Sequence, residues 1–144
     1  MRECIDIADS IVNGLNSAAD GTFSFEFTAV RTVLPEYELS ELSVLTVSIV
    51  PSEAEITKSS RSNSQYDFSI DIGVQKKVSD VETDVLSLSE LVSEIIDYLT
   101  SRQLPDIPWA VFSRISNAPI YSPEMLRDKK LFVSVIRIKY RAMK

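Results

Sequence analysis

Two aspartates in the segment YDFSIDIGVQKK (66–77) have the residue type and regular spacing that invite a chemical role. In proteins, two carboxylates that lie close together can hold a metal ion or act as an acid/base pair. Asp67 and Asp71 are candidates for such a role. The segment alternates apolar and polar residues with a period of two, which predicts a β-strand with both aspartates on its polar face. Residues four apart on a strand are separated by about 13 Å, which is too far to share one metal ion or one proton. The spacing therefore favours a solvated sheet face over a catalytic pair.

The remaining acidic groups give metal chemistry little more support. Glu53 with Glu55, and Asp80 with Glu82 and Asp84, are dense enough in carboxylates to consider a Mg²⁺ site, but neither matches the D-x-[DN]-x-[DN]-G loop. The chain has no histidine, which removes the commonest general base near neutral pH, the commonest zinc ligand and the Ser/His triad. We therefore expect no catalytic residue, no cofactor and no metal.

The positions of glycine and cysteine argue against a phosphate-binding loop, a catalytic thiol and an internal disulfide. None of the three glycines lies in a G-x-G-x-x-G or G-x-x-x-x-G-K-[ST] pattern, so no phosphate-binding loop is predicted. The single cysteine, Cys4, has no general base beside it in sequence and has no second cysteine with which to form an internal disulfide. The acidic N-terminal MRECIDIADS does not fit a signal peptide, so we expect folding in a reducing cytoplasm.

Charge is distributed unevenly along the chain. The net charge of −6 argues against broad nucleic-acid affinity, because phosphate contacts need clustered Lys and Arg. Residues 127–144 nevertheless carry seven basic side chains against one acidic one, whereas residues 80–97 are almost purely acidic. Such segments either pair copies of the chain or form two solvated faces of a monomer. No apolar run approaches the roughly 18 residues of a membrane span, so no membrane association is expected.

The elements that position these residues follow from periodicity and from helix and strand breakers. We predict a helix over 4–15, strands over 23–33, 44–50 and 66–77, a helix over 80–102, and strands over 109–115 and 131–143. The long helix begins with the capping box Ser79-x-x-Glu82, and Ser122 with Pro123 predicts one helical turn before the last strand. The stretch PEYELSEL (35–42) is a polar connection, and the serine-rich residues 52–65 form an exposed arm or long hairpin loop.

This order, α-β-β-β-α-β-β, defines an α+β fold. A small, mostly antiparallel sheet with both helices packed on one face is the economical way to bury the apolar stripes. At 144 residues the chain suits a single domain with one core, and no repeat or linker divides it.

Both the element order and several stretches of sequence resemble phage tail-terminator proteins, small subunits that form a hexameric ring capping a finished tail tube. The stretches that are similar to predicted tail proteins of phages and prophages are YDFSIDIGVQKK, VLSLSELVSEIIDYL, RQLP, NAPIYSPEML and LFVSVIRIKYRA. The resemblance covers most of the chain from about residue 25 and includes no catalytic signature.

The resemblance implies a non-enzymatic ring subunit in the virion neck, assembled in the host cytoplasm. Its implied partners are further copies of itself, the tail tube protein and a head-tail connector protein. Two alternatives stay open: a head-completion or connector protein of the same particle, and a small-ligand-binding or metal-dependent α+β domain that uses Asp67 and Asp71.

A ring with head-to-tail contacts closes when the acidic face of one subunit meets the basic face of the next. The arm either becomes ordered against a neighbour or the tube, or is a flexible surface loop. The candidate interface residues are Lys58 and Arg61 of the arm, Glu82, Asp84, Glu90, Glu94 and Asp97 of the acidic helix, and Arg137, Lys139 and Arg141 of the basic strand.

Overall fold

A computed structural model of the chain describes residues 1–33 and 41–143. Within this part, the α-helices and strands are α1 (Arg2–Asn16), β1 (Ala29–Arg31), β2 (Thr46–Lys58), β3 (Ser64–Lys77), α2 (Val81–Leu99), β4 (Val111–Asn117), α3 (Pro123–Lys129) and β5 (Leu131–Met143). The strands form one sheet in the order β1-β2-β3-β5-β4. Neighbouring strands are antiparallel except β1 and β2, which are parallel, so the sheet is mixed and the predicted α+β class is confirmed.

The hydrophobic core lies on one face of the sheet. Alternate residues of β3 and β5 point into it with no exposed surface, namely Phe68, Ile70, Ile72, Val74, Ile136, Ile138 and Tyr140. Both long helices bury their apolar sides in the same cluster, with Ile7 and Ile11 from α1 and Leu91 and Ile95 from α2. Each fully buried side chain of this size stabilises the fold by about 1.5–3 kcal/mol. The predicted placement of both helices on one face, and of the apolar side of β3, is confirmed.

The first predicted strand, 23–33, is largely wrong. Only Ala29–Arg31 forms a strand. The alternating phenylalanines before it pack against the core instead of joining the ladder, and the Phe23 ring lies 5.5 Å from that of Tyr98 on α2. The Asn16 side chain binds both the N–H and the carbonyl of Ala29, at 2.7 and 3.0 Å. A period of two does not distinguish side chains that contact a helix from those of a sheet.

The predicted arm at 52–65 is a continuation of two strands rather than a loop. β2 runs to Lys58 and β3 resumes at Ser64, with pairing from Thr46↔Gln75 to Lys58↔Ser64. No apolar period marks this stretch, because both faces of the hairpin meet solvent and backbone pairing needs no such period. Residues 55–63 are all exposed.

The structure confirms one of the two predicted helix caps and moves the start of β4. The N-cap of α2 is Asp80, which accepts from the Thr83 N–H at 3.4 Å, so the capping box Ser79-x-x-Glu82 is wrong. Ser122 does cap α3, as predicted, by accepting from the Met125 N–H. β4 begins two residues later than predicted, at Val111.

The predicted connection at 35–42 lies mainly outside the described residues. Its last two residues belong to a short 3-10 helix, Glu41–Ser43, whose Leu42 is buried.

Candidate interaction surfaces

The sheet face opposite the helices, called here the charged sheet face, carries ion pairs between adjacent strands. The antiparallel register of β3 and β5 sets Asp71 opposite Arg137 and Asp67 opposite Arg141. The Arg137 guanidinium donates to both carboxylate oxygens of Asp71, at 2.8 and 3.1 Å, and Arg141 Nε donates to Asp67 at 2.9 Å. Arg137 also lies 3.6 Å from the carboxylate of Glu53 on β2.

These ion pairs shift the pKa of Asp67 and of both arginines. The hydrogen bond from Arg141 holds the pKa of Asp67 below its ordinary value, and the same contact raises the pKa of Arg141. The hydrogen bond and charge of Asp71 raise the pKa of Arg137. A general acid or base works best with a pKa near the working pH. Asp67 is therefore suited to a permanent ion pair and not to proton transfer.

The two aspartates do not converge on one site. Asp67 and Asp71 each bind a different arginine, as the spacing of four residues on a strand requires. Among residues 1–33 and 41–143, no group of three or more His, Cys, Asp or Glu side chains is placed to hold a metal ion.

The pairing itself had a signal in the sequence, since Arg137 and Arg141 are also four residues apart. One antiparallel register aligns both pairs at once.

Of the three basic candidates on β5, two are engaged within the chain. Arg137 and Arg141 bind the aspartates of β3, whereas Lys139 between them has no ion pair in the described part of the chain. In the β4–β5 ladder, Lys139 stands directly opposite Arg114. The charge available on this strand to a partner is therefore smaller than the sequence predicts.

Two of the five acidic candidates on α2 have structural roles. The Asp84 carboxylate accepts from the N–H groups of Ser79 and Asp80 at 2.9 and 3.2 Å, which lowers the pKa of Asp84. The Glu94 carboxylate accepts from the N–H and hydroxyl of Ser24 at 2.8 and 2.6 Å, and so attaches the segment before β1 to the helix.

The other three acidic candidates are available on the outer side of α2. Glu82, Glu90 and Asp97 are exposed and form no ion pair among the described residues. At about 100° per residue they fall within one side of the helix. Leu86 lies on the same side with 73% of its surface exposed. The outer side of α2 is thus a solvent-facing acidic stripe with one apolar residue.

Two basic candidates lie at the tip of the β2–β3 hairpin. Lys58 ends β2 and Arg61 lies in the turn, which is closed by N–H groups of Ser59 and Ser60 donating to the Asn63 carbonyl at 3.1 Å. Both cations are exposed and have no ion pair within the described ranges. They stand beyond the end of the core.

Cys4 is buried beneath the hairpin. Its thiol lies 3.9 Å from the carbonyl oxygens of Glu53 and Ser69, and burial raises its pKa to about 11. The thiol is therefore protonated near neutral pH, which is the unreactive form.

One cleft has a volume of about 920 Å³. It is lined by the segment between α1 and β1, including Phe23, Phe25, Phe27, Asp20 and Glu26, and by Val44 and Leu45. A smaller groove of about 290 Å³ lies between α1 and the turn before β4 and includes Asp6, Asp9, Asp106 and Trp109. Asp6 and Asp9 are already bound by Arg2 and Arg31.

Comparison of the chain with models of protein families gave no match, and comparison with curated proteins found no relative. No helix within residues 1–33 and 41–143 is both long and apolar enough to cross a membrane.

Proposed function

We propose that this chain is a structural virion protein that forms a ring at the end of a phage tail tube. In this role it ends polymerisation of the tube and offers the surface on which the head joins the tail. The proposal rests on the resemblance of the sequence to tail-terminator proteins and on the α+β fold. The partners are further copies of the chain, most simply six, together with the tail tube protein and a head-tail connector protein.

The supporting observation is the placement of free charge on opposite layers of the subunit. The acidic stripe Glu82, Glu90 and Asp97 lies on the helix layer, whereas Lys139 and Arg114 lie on the charged sheet face. A head-to-tail ring uses two different surfaces of each subunit, and opposite charges on them favour that contact over a two-fold one. The cations Lys58 and Arg61 at the hairpin tip add a third exposed surface for a neighbour or the tube.

The test is deletion of the gene from the phage or prophage, with electron microscopy of the particles. Overlong tails are expected, because nothing then ends the tube. Restoration by the wild-type gene in trans controls for effects on neighbouring genes. Tails of normal length beside unjoined heads contradict termination and indicate the head-completion or connector role. Normal, joined particles contradict both.

A ligand-binding function is the second candidate, and the cleft of about 920 Å³ is the observation that favours it, since pockets of roughly 300–1,000 Å³ hold small molecules. A ligand that binds the folded chain raises its melting temperature. A screen of divalent metals and nucleotides by thermal shift therefore tests this candidate directly. A shift that is lost on Phe25→Ala, and retained on Ser116→Ala outside the cleft, would support a ligand over the ring.

A further inference from the structure

The sheet ends in two edges that differ in charge. On one side β4 is the outermost strand, and on the other side β1 covers only Val47–Ile49 of β2. Among the described residues, no strand pairs with the outer edge of β4 or with the edge of residues 50–58 of β2 that faces away from β3. Strand edges of this kind present backbone N–H and C=O groups that can pair with another chain.

The two edges have compatible directions. β2 is antiparallel to β3, β3 to β5, and β5 to β4, so β2 and β4 of one chain run in opposite directions. When subunits repeat head to tail, β4 of one copy therefore meets β2 of the next as an antiparallel pair. The uncovered segments have similar lengths, because β4 spans Val111–Asn117 and the open part of β2 spans 50–58.

Each edge also carries a like-charge pair inside its own chain. Glu55 of β2 stands directly opposite Asp67, and Arg114 of β4 stands directly opposite Lys139. Like charges facing each other across a ladder are unfavourable. An acidic partner beside Arg114 would relieve the pair on β4. A basic partner beside Glu55 would add to the compensation that Arg141 already gives Asp67.

The cross-strand rows show which partner fits. One row on the charged sheet face reads Glu53, Ser69, Lys139 and Arg114 from β2 to β4. If the row of one copy continues into the same row of the next copy, Arg114 of the first lies opposite Glu53 of the second. Glu55 then lies two residues further along β2 on the same face. Two-fold pairing of β2 with β2 would instead oppose acid to acid, and pairing of β4 with β4 would oppose base to base.

Both edges carry one β-bulge, between Pro51 and Glu53 on β2 and between Phe112 and Arg114 on β4. The bulges lie on either side of the row that joins Glu53 to Arg114. A bulge at an edge can discourage pairing, but it also bends and twists the strand, which a sheet needs in order to close on itself. β4 contains no proline, and Pro51 is the one proline in the uncovered part of β2, so backbone pairing is open over most of both edges.

We propose that the sheets of adjacent copies join edge to edge, with β4 of one copy pairing antiparallel with residues 50–58 of the next. This contact rests on the proposed ring and specifies how its subunits meet. The binding partner at each edge is a second copy of this chain. Arg114 and the pair Glu53 and Glu55 select the head-to-tail arrangement.

The test uses Arg114→Glu and Glu55→Lys. Each change converts a like-charge pair within the chain into an opposite-charge pair, so the isolated subunit keeps its melting temperature or gains slightly. Each change also sets like charges together across the proposed contact. We expect the association constant, measured by light scattering against concentration, to fall about tenfold or more for Arg114→Glu.

Mixing the two variants tests whether the two edges meet each other. The Arg114→Glu chain has two acidic edges, and the Glu55→Lys chain has a basic β4 edge beside a less acidic β2 edge. We expect the mixture to assemble better than either variant alone, in an alternating ring with an even number of subunits. Lys129→Glu is the control for a lost positive charge away from both edges, and it should associate as the wild type does.

Hydrogen exchange reads the backbone contact directly. Peptides covering 50–58 and 111–117 should exchange more slowly in the assembled wild type than in the Arg114→Glu chain, while peptides of α3, away from both edges, should not change. The edge contact is overturned if the protein assembles while both edges still exchange rapidly. It is also overturned if the Arg114→Glu chain assembles as well as the wild type. Neither result contradicts the proposed ring. A wild-type chain that stays monomeric in solution also overturns the edge contact, whereas the ring is judged separately by tail length in particles.

Discussion

Reversing Arg137 and Arg141 to glutamate is expected to destabilise the subunit itself. Both arginines bind aspartates of β3 within the chain, so the reversal sets a new carboxylate directly against Asp71 and another against Asp67. If these arginines served only a neighbour, as their sequence suggests, the same change would leave the isolated fold intact. The two cases differ in the free energy of unfolding of the monomer.

The magnitude follows mainly from the pair between Arg137 and Asp71. This pair is bidentate, with side chains 42% and 27% exposed, so even after screening by solvent it lies near the upper end of surface pairs, about 1 kcal/mol. The like charges that replace it cost about 0.2–1 kcal/mol more. Arg141 makes one hydrogen bond to Asp67 and is more open to water, so its reversal adds a smaller loss. The change at Arg137 alone therefore costs about 1–2 kcal/mol, or roughly 3–8 °C in melting temperature for a chain of this size.

The assay is urea and thermal unfolding followed by far-UV circular dichroism at low protein concentration. Adding Asp67→Lys and Asp71→Lys to the reversed chain restores the opposite charges and should recover most of the loss. Lys139→Glu is the matched control, since Lys139 faces Arg114 and not an acid, and it should cost less than about 0.5 kcal/mol. A doubly reversed chain with an unchanged unfolding free energy would refute the ion pairs as a source of stability.

Two further changes test the charged sheet face and the core. Because Arg141 holds the folded-state pKa of Asp67 below its ordinary 3.8, the ionised carboxylate stabilises the fold above that pH, and the contribution is lost as the pH falls through the folded-state pKa. The melting temperature of Asp67→Asn should therefore fall less than that of the wild type between about pH 5 and pH 2.5, and parallel curves would contradict the pair. Ile70→Asp buries a carboxylate where no surface is exposed and should cost about 5 kcal/mol, enough to abolish the cooperative unfolding transition, whereas Ser116→Asp on the charged sheet face should stay folded. A folded Ile70→Asp chain would show that the two faces of β3 are reversed.

The sequence was sufficient for elements whose side chains repeat against one partner. β3 alternates from Phe68 to Val74, and α2 carries apolar residues at three-to-four spacing, so the buried side of each follows from local periodicity. Ser122 and Pro123 mark the start of α3 because a cap depends on residues within one turn. These features need no knowledge of which elements are neighbours.

Other features depend on which distant segments of the chain lie next to each other. Phe23, Phe25 and Phe27 alternate like a strand but lie against the core, and residues 55–63 lack a pattern because the hairpin has no buried face. Asp67 and Asp71 were recognised as a spaced pair, yet only the alignment of β3 with β5 assigns each its arginine. The same alignment determines which charges are left for a partner, namely Lys139 and Arg114 on the sheet and Glu82, Glu90 and Asp97 on α2. An ion pair between residues so far apart in the chain depends on tertiary contacts, which local sequence patterns do not encode.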